Sequence, residues 1–226
     1  MGRWVGTLLF VFSLACAIPA WAGGAAAPVR SMVIGLEYGP VGLTSLEAVR
    51  GRPVELLARI SDGSSGAFVW SVTPSNVAVV QDLGNGRARL IAVRDIFDAS
   101  DGQEPRAELK VCVGETCTAI TVTCLVNVQG RWTTLLDGTV PIPIFGRVHG
   151  TETRHLTFEQ DGRRIKFDAE PGHPAVLQLV GKRVDLIDPG DVLRVFRGEM
   201  TSRNGGTGQI VSVPGFIGTW KCDREQ

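Results

Sequence analysis

From Ser31 to Val128 the chain breaks into short β-branched runs, Pro53–Ile60, Phe68–Val72, Val77–Gln81, Ala88–Val93, Ala107–Val113 and Thr116–Val128, parted by Gly, Pro, Asn and Asp. This pattern restricts the fold more than any other feature. No stretch holds a 3.6-residue apolar period, so helices cannot supply the core. Runs this short are stable only when paired. Turn signals at Asp62-Gly63, Pro74-Ser75-Asn76 and Gly84-Asn85-Gly86 let them pair as an all-β sandwich.

One hairpin is legible residue by residue. If Gly114-Glu115 is a two-residue turn with Gly first, as type II′ requires, Val113 faces Thr116, Cys112 faces Cys117 and Val111 faces Thr118. Leu109, Val111 and Val113 then share a face with Ile120 and Val122. Cys112 and Cys117 sit opposite each other at a non-hydrogen-bonded pair, where a Cα separation of about 4.5 Å permits a disulfide.

The segments Ile60-Ser61-Asp62-Gly63-Ser64, Val69-Trp70-Ser71, Asn76-Val77-Ala78-Val79-Val80, Gly86 and Leu90-Ile91-Ala92 resemble a bacterial immunoglobulin-like (BIG) domain. The resemblance spans roughly residues 32–128 and implies that Trp70 is a core residue. The loop from Arg94 to Arg106 departs from it in length. Its Asp95, Asp98, Asp101 and Glu104 do not follow EF-hand spacing. They read as a solvated acidic loop rather than a Ca²⁺ site.

After Gln129-Gly130 a second series begins. Asp161-Gly162 reads as a type I′ turn, which pairs Phe158 with Ile165, Leu156 with Phe167 and Glu159 with Arg164, and sets His155 opposite Asp168. Further strands are expected through Ala175–Val180, Arg183–Ile187, Val192–Met200, Gly208–Val213 and Phe216–Cys222, with turns at Pro189-Gly190 and Asn204-Gly205-Gly206. So many short antiparallel strands suit a small up-and-down barrel or a second sandwich. The framing pair Gly130-Arg131-Trp132 and Gly218-Thr219-Trp220 resembles small lipocalin-like barrels, which implies that the first and last strands are neighbours.

The N-terminus has Arg3, an apolar stretch through Leu14, and Ala20-Trp21-Ala22, the order of a secretory signal peptide cleaved after Ala22. Cys16 does not make it a lipoprotein signal, because Ser13 stands where the Leu belongs. Pro19 breaks the run short of a membrane span. The organisation expected is a signal peptide over 1–22, a linker over 23–30, an Ig-like β-sandwich over 31–128 and a barrel-like domain over 129–226. The mature chain should be periplasmic or secreted, with no transmembrane segment. Lys and Arg number 23, as do Asp and Glu, so nucleic acid is not an expected partner. Export permits disulfides. Cys124 and Cys222 form the pairing left over beside Cys112–Cys117, a buried free thiol at Cys124 being the alternative.

No metal or cofactor is expected, since His149, His155 and His173 lack ligand spacing. His155 and Asp168 resemble a triad fragment, but no nucleophile elbow accompanies them. The run Asn204–Gly208 lacks the Gly-Lys-Ser/Thr of a phosphate cradle. Trp132, Phe145, Phe216 and Trp220 are the candidate ligand-binding residues, as a pocket or a sugar-stacking platform, unless they simply fill the barrel. The expected function is that of an exported non-enzymatic binding or interaction protein whose partner is a protein, a glycan or a small apolar ligand. The alternatives are a carrier of a small apolar ligand in the C-terminal barrel and a hydrolase using His155.

Overall fold

The structure is a computed structural model that describes residues 31–63, 66–142, 146–170, 173–188, 194–212 and 215–226. The signal peptide, the linker, Phe145 and the Pro189-Gly190 turn lie outside the described residues. Eight strands form the N-terminal half: β1 (Met32–Leu36), β2 (Ser45–Val49), β3 (Pro53–Ile60), β4 (Val69–Thr73), β5 (Ala78–Gly84), β6 (Arg87–Ala92), β7 (Arg106–Val113) and β8 (Thr116–Leu125). They make two sheets, β1-β3-β6-β5 and β2-β8-β7-β4, in which β2 runs parallel to β8 and every other pair is antiparallel. This is the strand arrangement of an Ig-like sandwich.

The strands form where inward positions alternate. Leu109, Val111, Ile120 and Val122 on one sheet meet Ile34, Leu56, Ala58 and Leu90 on the other, all buried in one core with Trp70. The β7–β8 hairpin has the expected register, Val113↔Thr116, Cys112↔Cys117 and Val111↔Thr118. Gly114 supplies the positive φ, +58°. Cys112 and Cys117 are disulfide-bonded across 4.1 Å between Cα atoms.

The C-terminal half is a closed barrel of β9 (Gly130–Ile142), β10 (Gly146–Asp161), β11 (Arg164–Glu170), β12 (His173–Val180), β13 (Arg183–Asp188), β14 (Arg194–Ser202), β15 (Gly205–Ser212) and β16 (Phe216–Arg224). Each strand pairs with the next and β16 returns to β9, from Arg224↔Trp132 to Ile217↔Thr139. The chain therefore enters and leaves the barrel at one end. Barrel rather than second sandwich is the outcome of that last pairing, which leaves no open edge between first and last strands.

The β10–β11 register corrects the sequence expectation. The turn is Gly162-Arg163, not Asp161-Gly162, and the pairs are Asp161↔Arg164, Gln160↔Ile165 and Glu159↔Lys166. Glycine takes the first turn position with φ +54°, as in a type II′ turn, so Asp161 avoids the positive φ that type I′ would impose. Two contacts fix the choice. The Gln160 carboxamide is buried, donating to the Val126 and Gly162 carbonyls and accepting from Val128 N–H. Arg163 is held by carboxylates of the sandwich. The slide alters partners but not faces, so Phe158, Ile165 and Phe167 still point inward.

Inside the barrel, Gly198 and Gly208 lie side by side beneath the Trp220 indole, and Gly138 and Gly218 lie beside each other near the Phe216 ring. A Cβ at Gly208 would sit 2.5 Å from Trp220 Nε1, and one at Gly138 would sit 2.6 Å from Phe216 Cζ. These glycines let a large ring lie across two neighbouring strands, which a small barrel needs to close around aromatic side chains.

The acidic loop between β6 and β7 is not solvated as a whole, and this is the second correction. Asp95 is fully buried. Its carboxylate accepts from Arg203 Nε (2.9 Å) and Nη2 (3.1 Å) of the barrel and from Arg50 Nη1 (3.2 Å) of the sandwich. Asp98 pairs with Arg203 at 2.5 Å and Arg50 at 3.0 Å. Glu104 takes a bidentate bond from Arg163, 2.7 and 2.6 Å, and a third from Gly181 N–H at 2.8 Å. Arg52 of the sandwich adds a 2.6 Å bond to the Gln160 carbonyl. The loop thus ties three barrel turns, 162–163, 181–182 and 203–204, to the sandwich. Its acids face arginines that lie far away in sequence, so the local charge run gave no sign of their partners.

Candidate binding site

One end of the barrel is closed by that junction and by a solid core. Trp132, Phe158, Ile165, Leu177, Leu179, Val184, Met200, Ile210, Trp220 and Cys222 are all buried in a single cluster, with Phe158 stacked on Trp132 at 5.6 Å. Trp132 Nε1 donates to the Val128 carbonyl at 2.8 Å, which satisfies its one donor at the floor of the barrel. Leu156, Phe167, Leu186, Phe196 and Phe216 pack against this cluster while only partly buried.

The barrel wall opens between β13 and β14. Among the described residues their ladder holds Arg183↔Glu199, Val184↔Gly198 and Asp185↔Arg197, although β13 runs on to Asp188 and β14 begins at Arg194. Past Asp185 the two strands part, and a cleft of about 340 Å³ is lined by Arg183, Asp185, Leu186, Phe196 and Arg197. Strand alternation sorts these into two layers. Leu186 and Phe196 belong to the inward face, while Arg183, Asp185 and Arg197 belong to the outward one. Asp185 binds Arg183 Nε at 2.6 Å and Arg197 Nε at 3.4 Å. The floor is rigid because Phe196 stacks on Trp220 at 4.4 Å between centroids with 14° between planes, and Trp220 Nε1 donates to the Arg197 carbonyl. The site can therefore offer an aromatic surface flanked by cations and one carboxylate.

The residues expected from sequence divide as follows. Trp220 backs the cleft, Phe216 packs partly buried against the same core, and Trp132 is remote from it as a core residue. Leu186, Phe196 and the Arg183–Asp185–Arg197 group were not expected. Alternation in Arg183-Val184-Asp185-Leu186 marks inward and outward positions, but nothing local marks where two strands stop pairing.

The triad fragment is not assembled. His155 pairs across to Thr133, and its Nδ1 lies 2.6 Å from Glu225 Oε1, not beside Asp168. Thr133 Oγ1 donates to the same carboxylate oxygen at 2.9 Å. Both groups thus converge on Glu225, and their hydrogen bonds hold its carboxyl below the usual range. The Thr133 hydroxyl also lies 3.3 Å from His155 Nδ1.

Cys124 and Cys222 are free and buried, one in each core. Of the two expectations for Cys124, the structure has the buried free thiol and not the bond to Cys222. Cys124 lies on the inward face of the sandwich and Cys222 on that of the barrel, so both are core side chains of separate clusters. Burial raises the Cys124 thiol to about 11 and the Cys222 thiol to about 12. No helix among the described residues is long and apolar enough to cross a membrane.

No protein-family profile matches the chain, and no curated protein matches it in sequence. Among solved structures it is similar to a Bacteroides ovatus structural-genomics protein of unknown function, with 8% identity, 86% of this chain and 93% of that one covered, and a TM-score of 0.30. It is also similar to a Bacteroides ovatus multidomain protein that includes DUF1735, with 10% identity, coverage of 81% and 88%, and a TM-score of 0.27. At these scores the likeness carries no argument about function.

Proposed function

We propose that the protein is an exported, non-enzymatic binding protein in which a sandwich of the bacterial immunoglobulin-like kind is a rigid spacer and a lipocalin-like barrel carries the specificity. The observation behind this reading is the opening between β13 and β14 onto the Phe196–Trp220 stack. The cleft sets two apolar side chains, Leu186 and Phe196, beside three charged ones, and convergent polar groups of this kind fix the orientation of a small ligand. The signal-type N-terminus and the Cys112–Cys117 bond suit an extracytoplasmic setting.

The test is native mass spectrometry of the mature protein taken from its own extracytoplasmic fraction, followed by release and identification of what it holds. Retention of a stoichiometric partner by the wild type and its loss in Phe196→Ala would support the reading. Equal retention by both proteins would move the site elsewhere. A carrier of small apolar ligands is the second reading, favoured by the partly buried Phe167, Phe196 and Phe216 on the inward face. In that case the released molecule is apolar, and Asp185→Ala leaves it bound.

A further inference from the structure

Two neighbouring strands of the barrel differ in length. β10 runs for 16 residues and β11 for 7. The backbone of both is described throughout, yet they pair only at Asp161↔Arg164, Gln160↔Ile165 and Glu159↔Lys166. From Phe167 onward β11 follows β12 instead, through a register shift between Asp168 and Glu170. Such a shift bends a strand. From Thr157 back toward Gly146, β10 therefore has β9 on one side and, among the described residues, no ladder on the other.

The free side presents its main-chain groups in a definite order. Asp161↔Arg164 closes the two-residue turn as a hydrogen-bonded pair, and the direction of N–H and C=O alternates along a strand. Glu159 therefore turns its groups toward β11, and Thr157, His155, Thr153, Thr151 and His149 turn theirs to the open side beyond it. Residues 149–153 are exposed, as are His155 and Thr157, while Arg154 and Leu156 are half-buried. This stretch holds three threonines, whose β-branched side chains suit strand pairing. It holds neither Pro nor Lys, which commonly guard an exposed edge.

We propose that β10 pairs with β10 of a second copy of the chain, antiparallel about a two-fold axis at Thr153. The occupant and the register follow from charge. Pairing through the free groups allows an axis at residue 152, 153 or 154. An axis at Glu152 sets that carboxylate directly opposite the partner's Glu152, and an axis at Arg154 does the same with arginines. An axis at Thr153 sets Glu152 opposite the partner's Arg154 and Arg154 opposite the partner's Glu152. Opposite charges facing across a strand pair stabilise it, and like charges weaken it. Within one chain Glu152 already accepts from Arg154 Nε at 2.8 Å and from its Nη2 at 3.1 Å, so the four charges around the axis alternate in sign. A patch that is complementary to itself is what a two-fold dimer requires. The contact involves none of the residues that line the β13–β14 cleft and does not depend on that site.

Sedimentation velocity of the mature protein over a range of concentrations tests the proposal, on the wild type, Glu152→Arg, Arg154→Glu, and an equimolar mixture of the two variants. The wild type should dimerise, with a dissociation constant that rises about tenfold or more in each variant alone, because each sets like charges opposite at both pairs. In the mixture a Glu152→Arg chain meets an Arg154→Glu chain with every charge matched, so dimers should return. That recovery separates loss of the contact from loss of the fold, since mixing does not rescue a misfolded chain. A wild type that stays monomeric at its highest soluble concentration, single variants that dimerise as well as the wild type, or a mixture that regains no dimer would overturn the proposal.

Discussion

Removing the Asp95 carboxylate should weaken the whole molecule, because that group joins its halves. The carboxylate is fully buried and receives four hydrogen bonds, from Arg50, twice from Arg203 and from Phe97 N–H. Deleting one partner of a buried ion pair costs about 3–5 kcal/mol when the other is left dry. Here the arginine side chains are 33% and 37% exposed, so water recovers part of their solvation, and the loss for Asp95→Ala should be about 2–3 kcal/mol. Urea unfolding followed by tryptophan fluorescence reads both halves, since Trp70 sits in the sandwich core and Trp132 and Trp220 in the barrel. With a urea slope of about 2 kcal/mol/M, the midpoint should fall by about 1 M or slightly more. Asp101→Ala is the control, because that side chain is exposed and holds only the Gln103 N–H; it should stay within about 0.5 kcal/mol of wild type. If Asp95→Ala is equally silent, the junction is a contact without energetic weight and the reasoning fails.

Four further outcomes can be measured on the same protein. Gly198→Ala places a methyl against the Thr207 carbonyl and the Trp220 ring, and should cost about 2 kcal/mol or more in thermal or urea unfolding. Thr134→Val should stabilise by about 1 kcal/mol, since the Thr134 hydroxyl is buried without a hydrogen-bond partner among the described residues. For Asp98, desolvation pushes its carboxyl upward, but the Arg203 and Asp95 N–H hydrogen bonds and the Arg50 charge together hold it below the usual carboxylate range. A folded-state value below the unfolded one means that its stabilisation is present above that pH and is lost as pH falls through the lowered value; Asp98→Asn should therefore flatten the acid limb of a urea-midpoint-against-pH curve. Cys124 and Cys222, raised to about 11 and about 12 by burial, should not react with a thiol reagent at pH 8 until denaturant is added, when two thiols should appear.

What could be read in the sequence, and what could not, follows from how local the deciding interaction is. The Cys112–Cys117 hairpin was legible because Gly114-Glu115 fixes turn, register and facing within one short stretch, and nothing distant competes. The Asp161-Gly162 turn looked equally clear, yet it slid by one position. There Gln160 finds Val126 and Val128 and Arg163 finds Glu104 and Glu47, all remote in sequence and stronger than a turn preference. The acidic loop failed for the same reason. In the candidate site, Trp220 stands out in the sequence through the Gly218-Thr219-Trp220 triplet, while Phe196 does not, because its importance comes from a partner reached across Gly208 and Gly198.

The junction also bears on how the barrel can bind. A two-domain chain with a loose linker would present its site over a range of orientations, and any partner touching both halves would have to freeze that freedom. In this chain Glu104–Arg163 and Asp95–Arg203 fix opposite sides of the same barrel end, so rotation about either contact is blocked by the other. The turns that hold these contacts are those next to the sandwich, so they cannot serve as entry points. Among the described residues, the gap beyond Asp185–Arg197 lies away from these contacts. Cutting both clamps, with Arg163→Ala and Arg203→Ala together, should therefore leave ligand retention at the β13–β14 cleft unchanged while broadening the solution scattering envelope. Loss of retention in that variant would mean that the sandwich forms part of the site rather than supporting it.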